Sequence, residues 1–292
     1  MANLLSREEI HEQSVRAHTR WKSLWEENAK NNAANYIQSL PINGSGMNRK
    51  AIVVSYGPSL QENLDAIKEK NLHYEYDIIC IDKSLKTCLS NGIIPKYCVI
   101  SDAQVSFEEY GDIPNVRQIS LISAVTANWK WSNHWVKNGG NVYLYLNKDH
   151  IRTHRIYGEY LGPGKTAFII PASSNVGNAA YVITTLVLGY RQVLMAAYNY
   201  SFELFGQYYG DKTGKEKDIN LGFDKHTFYN HYTMVGIDGK LVQCSHNMQF
   251  SAKWLIGYID DVARKQGIET INITGKGILR IQNQAKIRRE AA

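Results

Sequence analysis

The chain has 292 residues, 44% hydrophobic and 21% charged, a balance that excludes an intrinsically disordered protein and allows a substantial buried core. Its formal net charge of +6 comes largely from scattered Lys and Arg and mildly favours an anionic ligand. Nucleic-acid binding is not expected, because that function needs a basic stripe interleaved with stacking aromatic residues.

The N-terminus and the cysteines indicate the compartment. No run of about 18 apolar residues occurs, and the N-terminus lacks the basic-then-apolar order of a secretory signal. The four cysteines form no CxxC pair, so we expect neither a metal site nor a disulfide. These features predict a cytoplasmic protein without a transmembrane segment.

Residues 6–38 are polar, contain no Gly or Pro, and carry apolar residues at mostly helical spacing, from Ile10 to Trp25. This pattern predicts one or two amphipathic helices outside the main sheet, which either cap their own domain or pair with another subunit in a homo-oligomer. The break at 41–48 has the composition of a linker. We therefore divide the chain into an extension, 1–48, and a main domain, 49–285.

The run AIVVSYGPSLQENL, residues 51–64, predicts a buried strand that ends in a tight turn and opens a helix. Gly57 lets the backbone approach a ligand, Pro58 suits a first helical turn, and Ser59 supplies a hydroxyl beside free N–H groups. Such a turn can hold a phosphate, which makes a nucleotide the expected ligand. The alternative is a glycine that merely packs the helix against the strand.

Apolar strand-like runs alternate with helical patterns along the main domain. The predicted strands are 51–55, 77–81, 97–101, 118–122, 142–146, 192–196 and 269–273, and the predicted helices are 60–70, 83–91, 175–188 and 248–266. This βαβ alternation predicts an α/β fold with a doubly wound, mostly parallel sheet. A ligand then binds at the carboxyl ends of the strands.

Polar groups follow the second and third predicted strands as well. Asp82 and Ser84 follow the second strand, and Ser101 and Asp102 follow the third. An acidic group after the second strand of such a sheet often binds a ribose hydroxyl. The alternative is that Asp82 and Asp102 only cap the turns or helices that follow them.

A further polar turn, Ser173, Ser174 and Asn175, opens an apolar helix that ends at Gly189. The dipole and free N–H groups of that helix suit a phosphate or a carboxylate, although the same residues could be plain N-caps.

Residues 198–235 break the alternation, because this stretch is rich in Tyr, Phe, Gly and charge but has no sustained period. We predict a lid or an acceptor-binding segment there, with an ordinary surface excursion as the alternative. The chain ends in a basic tail, 286–292.

The GPSL turn at 57–60, followed by the stretch IDKSLKTCLSNGIIPKYCVISDA at 81–103, resembles the MptE-like and motility-associated-factor (Maf) superfamily. Members of that superfamily carry a Gly-Pro-Ser-Leu turn and then a G-I-x-P-x-y-x-x-x-x-D segment. The second motif maps onto Gly92, Ile93, Pro95, Tyr97 and Asp102. The stretch from Ser173 to Tyr200 also resembles bacterial sialyltransferases of the lipooligosaccharide type. Together these similarities span residues 50–280.

The resemblance implies a Rossmann-like fold and transfer chemistry on a nucleotide-bound donor. Maf proteins and those sialyltransferases use CMP-activated nonulosonic acids, whereas MptE-type enzymes transfer pyrophosphate from ATP to a hydroxymethylpterin. Two departures limit the transfer of roles: Tyr56 stands where the sialyltransferases have an Asn, and Asn199 stands where many relatives have an Asp, which reduces the charge of the site. Because an amide is a poorer ligand than a carboxylate for a hard cation, Asn199 disfavours a metal-assisted mechanism.

Histidines are the candidates for the base that glycosyl transfer requires. His246 precedes a predicted helix, where an imidazole stays neutral and can accept a proton, and the resemblance places a His at this point. His226 and His231 in the aromatic segment are second choices. Tyr229 and Tyr232 could donate hydrogen bonds to a leaving phosphate.

Three functions remain open. The first is a glycosyltransferase that acts by direct displacement on a CMP-activated sugar, with a carbohydrate or protein-linked acceptor. In this hypothesis the phosphates lie over 57–59 and 173–175, and Asp82, Ser84 and Asp102 contact sugar and ribose. The second is an MptE-like pyrophosphokinase that uses ATP and Mg²⁺. The third is a nucleotide-binding or assembly protein without catalytic activity.

Overall fold

The computed structural model describes residues 21–34, 42–148, 155, 158–159, 168–171, 175–203 and 231–283, and of His231 the backbone alone. Every structural statement below concerns these ranges.

An eight-stranded, fully parallel sheet forms the centre of the molecule, with the strand order β11-β7-β1-β2-β3-β4-β5-β6. The strands are β1 Lys50–Val54, β2 Tyr76–Ile81, β3 Tyr97–Ile100, β4 Ser120–Ala124, β5 Val142–Asn147, β6 Phe168–Ile170, β7 Gln192–Ala196 and β11 Glu269–Asn272. Seven of the eight match predicted strands, and β6 is an addition. The predicted α/β class with a mostly parallel sheet is therefore confirmed.

Helices connect the strands and flank the sheet. They are α1 (21–34), α2 Leu60–Glu69, α3 Leu72–Glu75, α4 Leu85–Ser90, α5 Phe107–Tyr110, α6 Trp129–Lys137, α7 Val176–Val182 and α8 His246–Tyr258. Both α7 and α8 continue into a π-helical turn, Ile183–Val187 and Ile259–Ala263 respectively. None of the helices in the described ranges combines the length and the apolar character needed to cross a bilayer.

The centre of the sheet explains why the first predicted strand is so apolar. Strand β1 pairs with β2 on one side and with β7 on the other, and residues 51–54 have no exposed surface. A strand that is covered on both faces needs a continuous apolar run rather than alternation.

The four cysteines are buried free thiols.

The strand order reverses between β1 and β7. Strands β1 to β6 follow one another in one direction across the sheet, and β7 returns to the opposite side of β1. Because such connections are right-handed, the helices that precede and follow β7 cover the face opposite to α2 and α4. The contacts agree, since Asn178 of α7 donates to the Ser251 carbonyl of α8. The reversal leaves a crevice at the carboxyl ends of β1 and β7.

A second, antiparallel sheet forms where the sequence indicated no period. Strand β10, Leu241–Ser245, lies between β8, Phe202–Glu203, and β9, His231–Val235. The stretch 198–235, which shows no sustained period in the sequence, thus contributes a strand at each of its ends, because cross-strand pairing organises them. The lid prediction itself rests mainly on 204–230, which lie outside the described residues.

Helix α1 packs on its own domain through two asparagines one turn apart. The Asn28 amide donates to the carbonyls of Ala103 and Thr126, and the Asn32 amide donates to those of Val125 and Ala127. Both side chains are buried. The described part of the extension thus covers the turns after β3 and β4, while an additional role in oligomerisation stays a prediction.

Candidate functional site

A cleft lies between the turn that follows β1 and the turn that follows β7. Its lining combines hydroxyl, amide and aromatic side chains with backbone, and it includes the N-cap residue of α7 and one residue of α8. The lining residues are Ser55, Tyr56, Gly57, Asn175, Ala197, Tyr198, Asn199, Tyr200, Ser201 and Met248. This is the position at which open α/β sheets bind their ligands.

Gly57 brings the two turns into direct contact. A Cβ on Gly57 would overlap the Asn199 side-chain oxygen and would lie 2.8 Å from the Ala197 carbonyl oxygen. A side chain at this position would therefore push the turns apart. The glycine allows two protein backbones to approach each other, in addition to any role it has toward a ligand.

Asn199 joins three loops. Its Oδ1 accepts hydrogen bonds from the Ser59 hydroxyl at 2.8 Å and from the Ser59 N–H at 3.3 Å, and its Nδ2 donates to the Lys276 carbonyl at 3.3 Å. Both Ser59 and Asn199 are buried. The expectation that the Ser59 hydroxyl faces a phosphate disagrees with this geometry, because the hydroxyl is directed at Asn199. An amide suits position 199, since the site needs an acceptor on one side and a donor on the other.

The turn after β7 has an unusual backbone. Ala197 and Tyr200 have φ values of +59° and +50°, a conformation that non-glycine residues rarely adopt. Two buried phenols hold it in place: Tyr198 donates to the Gly177 carbonyl at 2.7 Å, and Tyr200 donates to the Asn178 side chain. Burial raises the pKa of both phenols, so they stay protonated donors. The surrounding contacts therefore maintain a strained turn at the cleft.

Asn175 lines the cleft and is also the N-cap of α7. Its Oδ1 accepts from the Gly177 N–H at 2.7 Å, which fulfils the N-cap alternative. Gly177 allows this helix end to approach β1, because a Cβ there would lie 3.1 Å from the Ser55 hydroxyl. Ser173 and Ser174 lie outside the described residues.

The polar groups after β2 and β3 differ in exposure. Ser84 is buried, and its hydroxyl donates to the carbonyls of Val54 and Ile81, so it ties two strand ends together instead of facing a ligand. Asp102 is exposed, and its Oδ1 accepts from the Gln104 N–H at 2.8 Å. Contact with sugar or ribose therefore stays a prediction for Asp102, and the geometry disagrees with it for Ser84.

Asp82 is a buried carboxyl with one unused oxygen. Its Oδ1 accepts from the Lys83 N–H at 2.7 Å, whereas Oδ2 has no hydrogen-bond partner among the described residues. Burial raises the pKa of Asp82 to about 7, against the opposing effect of Lys83. A carboxyl that exchanges its proton near neutral pH is typical of functional sites, although buried structural carboxyls behave in the same way.

The candidates for proton transfer lie on the α8 side. His246 is the first residue of α8 and is exposed, and Met248 is the residue of this helix that reaches the cleft. The Tyr232 hydroxyl donates to Gln249 at 2.7 Å, and burial raises its pKa to about 12, with a further contribution from Cys244. His231 lies in β9, and Tyr229 and His226 fall outside the described residues.

The comparison with protein families concerns most of the main domain. A family model described as 6-hydroxymethylpterin diphosphokinase MptE-like matches residues 24–203. The chain belongs to the MptE-like family. This membership supports a transferase-like role, and no curated protein matches the chain.

The fold of this MptE-like chain also occurs in a solved structure, that of the Maf glycosyltransferase from Magnetospirillum magneticum AMB-1. The two agree with a TM-score of 0.61 at 14% sequence identity, over 91% of this chain and 38% of the other. The chain thus spans 38% of the length of that structure. The likeness confirms the predicted resemblance to the MptE-like and Maf superfamily at the level of the fold.

The residues that line the cleft do not favour a metal ion there. The described cleft lining contains no carboxylate, and a hard cation prefers carboxylate oxygens. The described carboxylates at neighbouring strand ends are the exposed Asp102 and the buried Asp82, whose Oδ2 has no hydrogen-bond partner among the described residues. A Mg²⁺ ion would therefore depend on the turns after β2 and β3.

Sequence reasoning missed Lys276. Its ammonium lies 2.7 Å from Glu203 Oε1 and 3.0 Å from Glu62 Oε1, while its carbonyl accepts from Asn199. Burial by itself lowers the pKa of Lys276, but the hydrogen bonds to the two carboxylates raise it above the ordinary value. The adjacent Gly277 was a signal, since a Cβ there would overlap the Asn199 backbone.

Proposed function

We propose that this chain is a nucleotide-dependent transferase that moves a nonulosonic sugar from a CMP-activated donor to an acceptor hydroxyl. The observation that carries the proposal is the cleft between the turns after β1 and β7, at the reversal of the strand order. Membership of the MptE-like family supports a transferase. The structural likeness to a Maf glycosyltransferase supports the choice of a sugar as the transferred group.

The side chains of the cleft suit a ligand rich in hydroxyl groups. Ser55, Asn175 and Ser201 offer hydroxyl and amide groups that can both donate and accept, as sugar and ribose hydroxyls require. Tyr56 and Tyr198 add aromatic surface. Asp102, exposed on the turn after β3, is a further candidate for a sugar or ribose contact. Ser173 and Ser174 remain the residues that the sequence predicts to bind the phosphate.

The transfer step needs a base for the acceptor. In the proposed step the acceptor oxygen attacks the anomeric carbon, its proton passes to His246, and CMP leaves with the electron pair of the broken bond. His246 is exposed at the start of the helix that also supplies Met248 to the cleft. The strained, tightly held turn after β7 fits a site that is organised before its substrate arrives.

The first experiment is a thermal-shift panel of CMP, CDP, UDP, GDP and ATP, each with and without Mg²⁺. A ligand that binds only the folded state raises the melting temperature. We expect CMP to stabilise the wild type without Mg²⁺ and to stabilise Ser55→Ala less. Ser90→Ala, which removes a hydroxyl from α4, should respond like the wild type. An unchanged melting temperature with every nucleotide of the panel would contradict a nucleotide site.

The second experiment measures turnover of a CMP-activated nonulosonic acid, through release of CMP in the presence of sugar acceptors. We expect His246→Ala and His246→Gln to lower kcat by about 100-fold or more with little change in the response to CMP, as removal of a general base does. Equal turnover in these variants and the wild type would remove His246 from the mechanism.

The family description favours a second candidate, a diphosphokinase that uses ATP and Mg²⁺. The neighbouring strand-end carboxyls Asp82 and Asp102 are the groups that would hold the ion. A thermal shift with ATP that requires Mg²⁺ and disappears in Asp82→Asn would favour this candidate. A CMP response that survives chelation would favour the glycosyltransferase.

A further inference from the structure

A second surface lies at the end of the sheet opposite the cleft, where the strands begin. We define the basal face as the turns that lead into β1, β2, β3 and β7, residues 44–50, 68–77, 92–96 and 186–191. Half of the eight large apolar side chains that are exposed in the described ranges belong to it. The function proposed for the cleft does not use this face.

A buried aspartate holds the four turns of the basal face together. Asp77 forms ion pairs with Arg49, which precedes β1, and with Lys96, which precedes β3, the latter at 3.0 Å. It also accepts a hydrogen bond from Tyr190, which precedes β7. The Asp77 carboxylate is 8% exposed. The turns are therefore fixed relative to one another around one charged centre.

Each of the four segments also carries an exposed apolar side chain, only two to four residues in sequence from Asp77 or from one of its three partners. Met47 is 64% exposed, Tyr74 82%, Ile94 58% and Leu186 45%. Met47 and Ile94 each stand two residues from a cation that binds Asp77, and Leu186 stands four residues before Tyr190. The turn that contains Met47 is anchored, since Gly44 and Gly46 donate to the carbonyls of Val187 and Leu188. The apolar tips thus belong to the four segments that meet at the Asp77 centre.

The basal face also carries an excess of positive charge. It contains six Lys and Arg residues and three Asp and Glu residues. One of the three carboxylates is the buried Asp77, which Arg49 and Lys96 already neutralise. Lys50, Lys68 and Arg191 are exposed around it. The face therefore presents apolar tips inside a positive field.

We propose that the basal face docks on an anionic lipid bilayer. Basic side chains are attracted to the surface potential of anionic lipids, and apolar tips enter the boundary between headgroups and acyl chains. Tyr74 is suited to the headgroup level because its ring is apolar and its hydroxyl is polar. The apolar residues stand on four separate segments of the chain, an arrangement that matches a deformable lipid surface better than one helix or strand of a protein.

This orientation leaves the cleft accessible. The strands run from the basal face to the cleft, and five residues of β1 span about 17 Å. A molecule bound by its basal face therefore directs the carboxyl ends of β1 and β7 away from the bilayer. The docking is independent of the reaction proposed for the cleft.

The test is co-sedimentation of the full chain with neutral phosphatidylcholine vesicles and with vesicles that contain about 30% phosphatidylglycerol. We expect binding to the anionic vesicles that exceeds binding to the neutral ones at least tenfold and that weakens as salt rises from about 0.1 to 0.5 M. The variant Met47→Ser/Tyr74→Ser/Ile94→Ser should lose at least nine-tenths of that binding. Equal binding to both vesicles, or none, would overturn the proposal.

A matched control removes three exposed apolar side chains elsewhere. Ile169→Ser/Val235→Ser/Leu241→Ser changes residues of β6, β9 and β10 and should bind anionic vesicles like the wild type. If this control also lost binding, the basal face would not be the docking surface. Melting temperatures of both triple variants show whether each still folds.

A site-specific reporter covers the case in which a triple variant does not fold. The four native cysteines are buried, so Tyr74→Cys and Leu241→Cys can each be labelled with an environment-sensitive fluorophore. We expect a blue shift on anionic vesicles from position 74 and none from position 241. No shift at position 74 would contradict insertion of this face, and binding to an acidic protein in place of vesicles would assign the face to that class of partner.

Discussion

The turns after β1 and β7 and the turns after β3 and β4 lie at the same end of one sheet, but the molecule treats them differently. The first pair meets through Gly57 and Asn199 and leaves a cleft beside it. The second pair is covered by α1, whose Asn28 and Asn32 donate to four backbone carbonyls. Parallel sheets expose such carbonyls wherever strands end, so each pair of turns needs hydrogen-bond donors.

This difference indicates which pair of turns can form a site. The side-chain amides of α1 satisfy the carbonyls of the turns after β3 and β4, so the contacts of that covered pair maintain the fold. The turns after β1 and β7, the open pair, are held by hydrogen bonds of Asn199 and of the Tyr198 and Tyr200 phenols. The cleft beside this pair remains accessible. Asp82 follows β2, which lies between the two pairs of turns. Substitutions at these three places separate their roles.

The largest expected effect comes from Gly57→Ala in the open pair of turns. The new Cβ would overlap the Asn199 side chain, so the turns after β1 and β7 must separate, at a cost of about 3 kcal/mol in the free energy of unfolding. Urea denaturation measures this loss. Gly158→Ala is the control, because a Cβ at Gly158 meets nothing within 4 Å and should change stability little. Unchanged stability of Gly57→Ala would show that the turns do not touch.

The next largest effect is expected in the covered pair of turns. Asn28→Ala leaves the buried carbonyls of Ala103 and Thr126 without this donor and should cost about 2 kcal/mol, and Asn32→Ala should cost a similar amount. The control is Asn31→Ala, since Asn31 donates to the Glu27 carbonyl within its own helix at an exposed position. Losses as small as that of the control would mean that α1 is not anchored by these two residues.

The third expected effect is at Asp82, and it depends on pH. Burial raises its pKa in the folded state from 3.8 to about 7, so the stability that the protonated carboxyl contributes is complete below pH 4 and is lost as pH rises through 7. Asp82→Asn removes this dependence. We expect the stability of the variant relative to the wild type to increase as pH rises from 4 to 8, because only the wild-type carboxyl undergoes folding-linked loss of its proton in this range.

Urea denaturation of both proteins between pH 4 and pH 8 measures the difference. Ser84→Ala serves as a control for the local packing, because it changes a neighbour on the same turn that does not titrate. A difference between Asp82→Asn and the wild type that stays constant over this range would show that Asp82 does not exchange its proton near pH 7.

The strands of the main sheet could be predicted because burial on both faces requires continuous apolar runs, as residues 51–54 show. Helix α6 was missed because nine residues are too short a window for a helical period to stand out, yet Trp131 and Trp135, four positions apart, are buried in the core. The small antiparallel sheet was missed for a related reason. Strands of two to five residues acquire their identity from pairing rather than from their own pattern.

The sequence by itself determined the α/β class, the turn at Gly57 and the family resemblance, because these depend on residues that are neighbours in the chain. Only the tertiary structure decided what Ser59 and Asn199 do, since they stand 140 positions apart and meet through the return of β7 beside β1. The same holds for the asparagines of α1 and for the Asp77 centre. A polar side chain becomes a ligand contact or a structural bond according to which distant segment lies opposite it, and that is set by the packing of the whole chain.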